Sequence, residues 1–194
     1  MQKVARGEVL PIAEYEQLRP HFRARIIAEK KPRRVAVGEH ISFVFENHDT
    51  VLYQIQEMLR TERITQEAGV LHEIETYNDL IPGAGQLSFT LFVEIPDAAL
   101  RERMLVELEG LERTVALEVD GQRFAAFGDF AGVLPGRTTA VHYLKFDLSS
   151  APAALERLRN RTAKAALVID HAKHPARTEL SPATLASLAE DLAS

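Results

Sequence analysis

Cysteine is missing from the 194 residues of this chain, and no stretch of the sequence stays apolar for long. The absence of cysteine excludes disulfide bonds, thiolate-held metal sites and thiol catalysis, and it favours a reducing cytoplasm. No run approaches the roughly 18–20 apolar residues that a membrane span requires. The opening MQKVARGEVLPIAEYE contains no apolar segment of the kind found in signal peptides. We therefore expect a cytoplasmic protein without a membrane segment.

Complete catalytic motifs are missing as well. The chain has no Gly-x-Ser-x-Gly nucleophile elbow, no Walker sequence and no dinucleotide-binding fingerprint. The spacings Glu-x-x-His and His-Glu-x-x-His, with which helices bind iron or zinc, do not occur. These patterns indicate no cofactor. The net charge of −5 disfavours nucleic acid as a general partner.

The composition that is present is typical of one globular domain. Apolar residues make up 46% of the chain and charged residues 26%. A chain of this length can bury most of its apolar surface without disulfides or a structural metal. We predict a single domain over residues 1–194, in which residues 1–12 form an extended N-terminal arm.

Hydrophobic periodicity predicts a mixture of helices and strands. Helices are predicted over 13–31, 50–79, 97–109, 151–161 and 181–193. Strands are predicted over 33–46, 87–95, 115–119, 139–148 and 165–170, with a hairpin turn at 120–121 and a loop over 128–137. Several neighbouring strands suit antiparallel pairing. The expected fold class is α+β: a mainly antiparallel sheet of about five to six strands, helices packed on one face, and one long helix.

The long helix predicted over 50–79 has a face that changes from apolar to polar. Asp49 or Thr50 is expected to cap its start, and Gly69 is a place where it could break. Its apolar stripe begins at Val51 and reaches Glu62, a carboxylate that is costly to bury alone. Three interpretations stay open. Glu62 pairs with Arg23, Arg25 or Arg34; it lines a polar pocket; or it lies at an interface or beyond the edge of the domain.

The segment 19–34 is strongly basic, with seven lysines and arginines and a single acid. One interpretation is a contact with an anion or a nucleic acid. The other is a solvated helix face whose arginines pair with acids elsewhere in the fold. The second is favoured, because no aromatic residues are interleaved for base stacking.

Histidines next to acids raise the question of a metal site. His72 and Glu75 lie three residues apart on the predicted helix, close enough to share a ligand. Asp170 and His171 follow a predicted strand, and strand ends often carry functional residues. Each of these clusters is weak evidence by itself.

Three segments together resemble an uncharacterised bacterial family, domain of unknown function 3501. They are FENHDTVLYQIQEMLRTERI, YNDLIPGAGQLSFTLFVEI and VIDH, which begin at residues 45, 77 and 168. The resemblance implies no established activity. It implies a setting beside rubrerythrin-like and iron–sulfur oxidoreductase proteins, and therefore an accessory role in oxidative-stress or redox metabolism. His48 and His174 depart from the family pattern, which argues against metal ligation by either one.

We therefore expect a non-catalytic, cytoplasmic accessory or binding protein, a homo-oligomer (a dimer) with a redox protein as a possible partner. The residues expected to bind are Glu46, Gln54, Gln56, Arg60, Arg63, Tyr77 and Asn78. The alternative is a metal-dependent or acid/base enzyme that uses residues of the 50–79 helix. Its candidate residues are Glu57, Glu62, Asp170 and His171, with His72 and Glu75 as weak metal ligands. A second alternative is nucleic-acid binding through residues 19–34.

Overall fold

The computed structural model describes residues 1–129 and 134–193. The helices are α1 (Ile12–Arg33), α2 (His48–Glu62), α3 (Glu67–Asn78), α4 (Ala98–Glu107), α5 (Pro152–Arg159) and α6 (Pro182–Ala193). The strands are β1 (Arg34–Ala36), β2 (Ile41–Glu46), β3 (Gln86–Val93), β4 (Val115–Val119), β5 (Gln122–Ala125), β6 (Val141–Asp147), β7 (Ala165–His171) and β8 (His174–Glu179). Part of the loop predicted over 128–137 lies outside the described residues.

The α+β class and the antiparallel pairing are confirmed. The strands form two four-stranded sheets, with orders β1-β2-β3-β6 and β5-β4-β7-β8, and every pairing between neighbours is antiparallel. Strand β8, with the sequence HPARTE, was not predicted. Its exposure alternates between intermediate and high along the strand, because it lies at the edge of its sheet. An edge strand with few apolar residues has little hydrophobic pattern to predict it.

The main core lies between the two sheets. One face of the first sheet carries buried aromatic rings from three strands, namely Phe43, Phe45, Phe89 and Phe146. These rings belong to the same apolar cluster as Leu117 and Leu167 of the second sheet. A second cluster forms between α2, α3 and the N-terminal segment. The helical layer thus has a small core of its own.

The predicted 50–79 helix is two helices in the structure. Helix α2 ends at Glu62, because Arg63 adopts a left-handed conformation with φ 53° and the Ile64 amide bonds back to the carbonyl of Leu59. Gly69 is not the break. A Cβ at Gly69 would lie 2.7 Å from the Ile64 side chain, so this glycine lets the returning chain pack closely. The apolar stripe that was predicted along one helix is therefore interrupted at Glu62 because the chain turns there, between α2 and α3.

Two other predicted boundaries are also corrected. The N-cap of α2 is Asn47, whose side chain accepts a hydrogen bond from the Thr50 amide at 3.0 Å while the Thr50 hydroxyl accepts one from the Asn47 amide. Helix α1 runs through Pro20 and Pro32 to Arg33, two residues beyond the predicted end at residue 31. Pro32 lies in the last turn, one residue before the helix ends.

The predicted N-terminal arm packs against the helices through two buried amides. Asn78 accepts from the Val4 amide at 2.8 Å and donates to the Val4 carbonyl at 3.0 Å. Gln56 makes the same pair of bonds with the backbone of Leu10, at 2.7 and 3.2 Å. Both amides were expected to bind a ligand, yet in the structure they hold the chain's own backbone.

None of the helices in the described part of the chain is long and apolar enough to cross a membrane.

Candidate binding site

The face of the first sheet that points away from the aromatic core carries a group of polar side chains. Strand register places Glu46, Ser88 and Lys145 in one row across β2, β3 and β6. The next row contains Thr90 and Tyr143. Because side chains alternate along a strand, these residues share a face opposite the one that carries Phe89. Three strands therefore build one polar surface.

Glu46 is the buried acid of this surface. Its exposed fraction is only 3%. Its Oε1 accepts a hydrogen bond from the Thr90 hydroxyl at 2.6 Å. Its Oε2 is buried and has no hydrogen-bond partner among residues 1–129 and 134–193. Buried polar atoms are nearly always paired, so this oxygen needs an explanation.

Gln54 of α2 supplies a second oxygen in the same condition. Its Oε1 is buried without a hydrogen-bond partner in the described structure. Burial, and then the charge of Glu46, raise the pKa of Tyr143, and the Gln54 side chain opposes them. The two side chains with an unpaired oxygen therefore both influence the Tyr143 phenol. We call Glu46, Gln54, Thr90 and Tyr143 the Glu46 site.

Tyr77 of α3 interacts with Tyr143. Burial raises the pKa of Tyr77, followed by the influence of Tyr143 and Glu73. Three of the residues expected to bind, Glu46, Gln54 and Tyr77, thus share an electrostatic interaction with Tyr143, although they come from β2, α2 and α3.

A cavity of about 370 Å³ adjoins the site. Tyr143 lines both, and the cavity is also lined by Asp79, Ser88, Phe127 and Lys145. Burial lowers the pKa of Lys145, and Asp79 partly opposes that effect. Asp129 lines the cavity as well, so that the region has three acids, Glu46, Asp79 and Asp129, beside Lys145. Such a surface can receive a small ligand that offers N–H donors to Glu46 and Gln54.

Comparisons with known proteins agree with one another. The model of the family described as protein of unknown function (DUF3501) matches residues 3–192. The chain belongs to this family. A crystal structure of a novel protein of unknown function from Burkholderia pseudomallei K96243 is 34% identical, covers 98% of this chain and 100% of its own, and superposes with a TM-score of 0.91. No curated protein matches the chain.

Glu57 of this DUF3501 chain lies in a network of charged and phenolic groups. Arg19 donates to its two carboxylate oxygens at 2.7 and 2.9 Å, and Tyr15 donates to Oε1 at 2.7 Å. Arg60 donates to Oε2 at 3.3 Å. The Arg19 bond, joined by that of Tyr15, outweighs burial and lowers the pKa of Glu57 to about 2. Glu57 thus stays ionised and binds α1 to α2.

We predict that this network makes the protein sensitive to acid. A carboxyl group whose pKa is lowered on folding stabilises the folded state above its ordinary pKa near 4.5, and that stabilisation is lost as pH falls toward 2. The urea midpoint of the wild type should therefore fall between pH 5 and 2 more steeply than that of Glu57→Gln. Glu62→Gln, an exposed neighbour on the same helix, is the control and should follow the wild type. Parallel curves for all three proteins would contradict this role of Glu57.

The other candidate residues do not converge with the Glu46 site. Glu62 is exposed at the end of α2, and it forms no ion pair with Arg23, Arg25 or Arg34. Arg63, His72 and Glu75 are exposed. Of the three interpretations of Glu62, exposure at the edge of the domain is the one that the structure supports.

Asp170 and His171 lie in the second sheet. Asp170 is exposed and pairs with Arg123. His171 is 7% exposed, and its Nε2 lies 3.1 Å from the carbonyl of Glu109. Asp170 and His171 are the last two residues of β7, and His171 lies opposite His174 across the two-residue turn to β8. In the described ranges, no group of three or more His, Asp or Glu residues is placed to hold a metal ion.

The sequence analysis did not identify Thr90, Ser88, Tyr143 or Lys145 as site residues. Each lies in a strand that was predicted, on the face opposite the apolar one. The alternation of polar and apolar residues along β3 and β6 is the sequence feature that could have identified them. Which strand lies beside β2, however, depends on sheet order, and that order is a tertiary property.

Proposed function

We propose that this protein is a non-catalytic binding protein whose Glu46 site receives a small ligand bearing amine, guanidinium or amide N–H groups. One observation carries the proposal: among the described residues, Glu46 Oε2 and Gln54 Oε1 are buried acceptors without hydrogen-bond partners, and both side chains influence the pKa of Tyr143. Leaving a buried acceptor unpaired costs about 1–3 kcal/mol, and more when it is charged. A donor ligand would remove this cost for both atoms.

The charges around the site favour a ligand that carries a positive group. Glu46 is a buried carboxylate, and Asp79 and Asp129 add two acids at the adjoining cavity. The rings of Tyr77 and Tyr143 are suited to attract a cation through their faces. Lys145 lies in the same cavity and would suit an anionic group on the same molecule. A zwitterionic amine is thus the best match to these residues.

Protonation states support binding over acid/base catalysis. The pKa of Tyr143 and of Tyr77 is raised, so both phenols stay neutral near pH 7. The pKa of Glu57 is about 2, so this acid holds no proton to transfer. A general acid or base works best with a pKa near the working pH, and these groups are far from it.

The proposal is tested by titrating the protein with a panel of amines and guanidinium compounds, for example arginine, agmatine and spermidine. Thermal shift and ligand-observed NMR would detect binding. We expect at least one compound to raise the melting temperature of the wild type. We expect Glu46→Gln to weaken that binding by at least about tenfold, since an ionic acceptor is replaced by an amide.

Two controls separate binding from folding. Glu62→Gln removes an exposed acid of α2 and should bind as the wild type does. Glu46→Gln should fold at least as stably as the wild type, because it removes a buried charge without a full set of partners. If no compound binds, or if Glu46→Gln binds as tightly as the wild type, the Glu46 site is not the binding site.

The cellular setting is proposed on the family resemblance and the sequence composition. We infer a cytoplasmic protein that forms a homodimer and assists a redox enzyme. Sedimentation velocity at micromolar concentration checks the dimer, and a single monomeric species would contradict it. Affinity capture from native cells, together with the peroxide sensitivity of a deletion strain, checks the redox role. Failure to recover a redox enzyme, with unchanged sensitivity, would contradict that role.

A further inference from the structure

The basic segment 19–34 divides into paired and unpaired cations in the structure. Four arginines have carboxylate partners: Arg19 with Glu57, Arg25 with Asp49, Arg33 with Asp191 and Arg34 with Glu94. The expected pairing with acids elsewhere thus holds for these four. Arg23, Lys30 and Lys31 have no carboxylate within ion-pair distance in the part of the chain that the structure describes.

The three unpaired cations line one cavity. Its volume is about 590 Å³, and Arg34 of β1 also lines it. Arg23 and Lys30 lie seven residues apart on α1, which places them along one stripe of the helix. Three unneutralised charges that share a concave surface create a positive potential there, although the whole chain carries a net charge of −5.

The rest of the cavity is apolar or aromatic. Ile26 and Ile27 of α1 and Ala36 of β1 line it, and Tyr53 of α2 forms the remaining wall. Ile27 is 55% exposed, an unusual fraction for a residue of its type. Burial, and then the charge of Glu57, raise the pKa of Tyr53, so its ring stays a neutral phenol. The cavity thus combines cations with a surface on which a flat group can lie.

We infer that this cavity binds a small organic phosphate, with the phosphate groups held by Arg23, Lys30 and Lys31 and a planar body resting on Tyr53. The cavity is separate from the Glu46 site, and the inference does not depend on the proposed function. Lysine and arginine are the side chains that proteins use most for phosphate. The volume lies within the 300–1,000 Å³ that small-molecule sites occupy.

A nucleic-acid chain fits these observations less well. A polymer contact needs a track of cations along its backbone with aromatic residues between them. Here the unpaired cations are three, they face one concavity, and one tyrosine accompanies them. The overall negative charge would also repel a long polyanion.

Calorimetric titration of the full chain with adenosine diphosphate and with pyrophosphate, at low ionic strength, tests the inference. We expect both to bind, the diphosphate nucleotide more tightly. Single variants Arg23→Gln, Lys30→Gln and Lys31→Gln should each weaken both ligands by about tenfold, the loss of one charge-assisted hydrogen bond. Lys164→Gln changes an exposed lysine that lies just before β7, and this variant should bind as the wild type does.

Substitution of the tyrosine separates the two parts of the ligand. Tyr53→Leu should weaken adenosine diphosphate by about fivefold or more, since a stacked base loses its platform, and should leave pyrophosphate unchanged. Circular dichroism establishes that each variant is folded, and Tyr53→Phe, which keeps the ring, should restore nucleotide binding. Absence of any binding, or equal losses in Lys164→Gln, overturns the inference. If a single-stranded oligonucleotide bound more tightly than adenosine diphosphate, and with a steep dependence on salt, the ligand of the cavity would be a nucleic-acid polymer and not a small organic phosphate.

Discussion

Replacing Arg33 with methionine is expected to lower the free energy of unfolding by about 3–5 kcal/mol, which is the usual cost of removing one partner from a buried ion pair. Arg33 is 2% exposed and donates from Nη1 and Nη2 to the two carboxylate oxygens of Asp191, at 2.5 and 3.0 Å. A third bond, from Nε to Glu29 at 2.8 Å, completes its contacts. Methionine would remove the two charge-assisted hydrogen bonds that the buried carboxylate of Asp191 accepts from Arg33.

The position of the pair in the fold makes the effect large. Arg33 ends α1, and Asp191 lies in the last turns of α6, 158 residues later in the chain. Burial alone lowers the pKa of Arg33, but the hydrogen bonds and charges of Asp191 and Glu29 outweigh it and the net direction is upward. Arg33 therefore stays charged, and the two ends of the chain are joined by an ion pair that water scarcely screens.

Urea denaturation measures this effect against a matched control. Arg177→Met removes an arginine that pairs with Glu118 at 2.9 Å but is 48% exposed, and it should cost less than about 1 kcal/mol. The double variant Arg33→Met with Asp191→Leu should recover part of the loss, because it leaves no buried charge behind. If Arg33→Met cost no more than Arg177→Met, the buried pair would not hold α1 to α6.

Replacing Phe89 with alanine is expected to destabilise the protein by about 3–5 kcal/mol, through lost burial and the cavity left behind. Phe89 is fully buried at the centre of the aromatic cluster. Its ring centroid lies 5.1 Å from that of Phe43, 6.1 Å from that of Phe45 and 4.6 Å from that of Phe146. Contacts between rings at such distances add to the stabilisation by burial.

The same strand carries the polar face of the binding site. Phe89 lies between Ser88 and Thr90, so the packing of its ring holds β3 in the register that brings Thr90 to Glu46. Guanidinium denaturation of Phe89→Ala measures the loss, with Phe127→Ala as the control. Phe127 is 43% exposed and should cost less than about 1.5 kcal/mol. Equal losses of unfolding free energy at the two positions would show that the aromatic cluster stabilises the fold no more than an exposed ring does.

Local patterns in the sequence determined the class of the fold and most of its elements. The alternation of apolar residues in LSFTLFV predicts β3, and Ser181 with Pro182 predicts the start of α6. Both signals act within a few residues of the chain, so they can be read without the fold. The resemblance to the family was carried by long local segments, and the family model confirmed it.

The tertiary structure alone decided where the helical layer turns and which polar residues meet. The turn after Glu62 depends on the packing of Ile64 against Gly69, a contact that the sequence pattern does not specify. Gln56 and Asn78 were expected to be binding residues. In the structure they accept hydrogen bonds from backbone amides of the N-terminal segment, 46 and 74 residues earlier in the sequence. Local residue patterns cannot foresee contacts at such separations.

The Glu46 site also combines features that the sequence shows with features that only the tertiary structure decides. Its residues were visible one by one in the sequence: an acid at the end of β2, a glutamine on α2 and a tyrosine on α3. Their meeting depends on β6 lying beside β3, far from it in sequence, and so bringing Tyr143 next to Thr90. The aromatic rings on the other face pack across the same strands, with Phe89 of β3 against Phe146 of β6. The sequence by itself therefore determined which elements form and which residue types they carry. Only the tertiary structure decided that Glu46 and Gln54 each bury a side-chain oxygen that has no hydrogen-bond partner among the described residues.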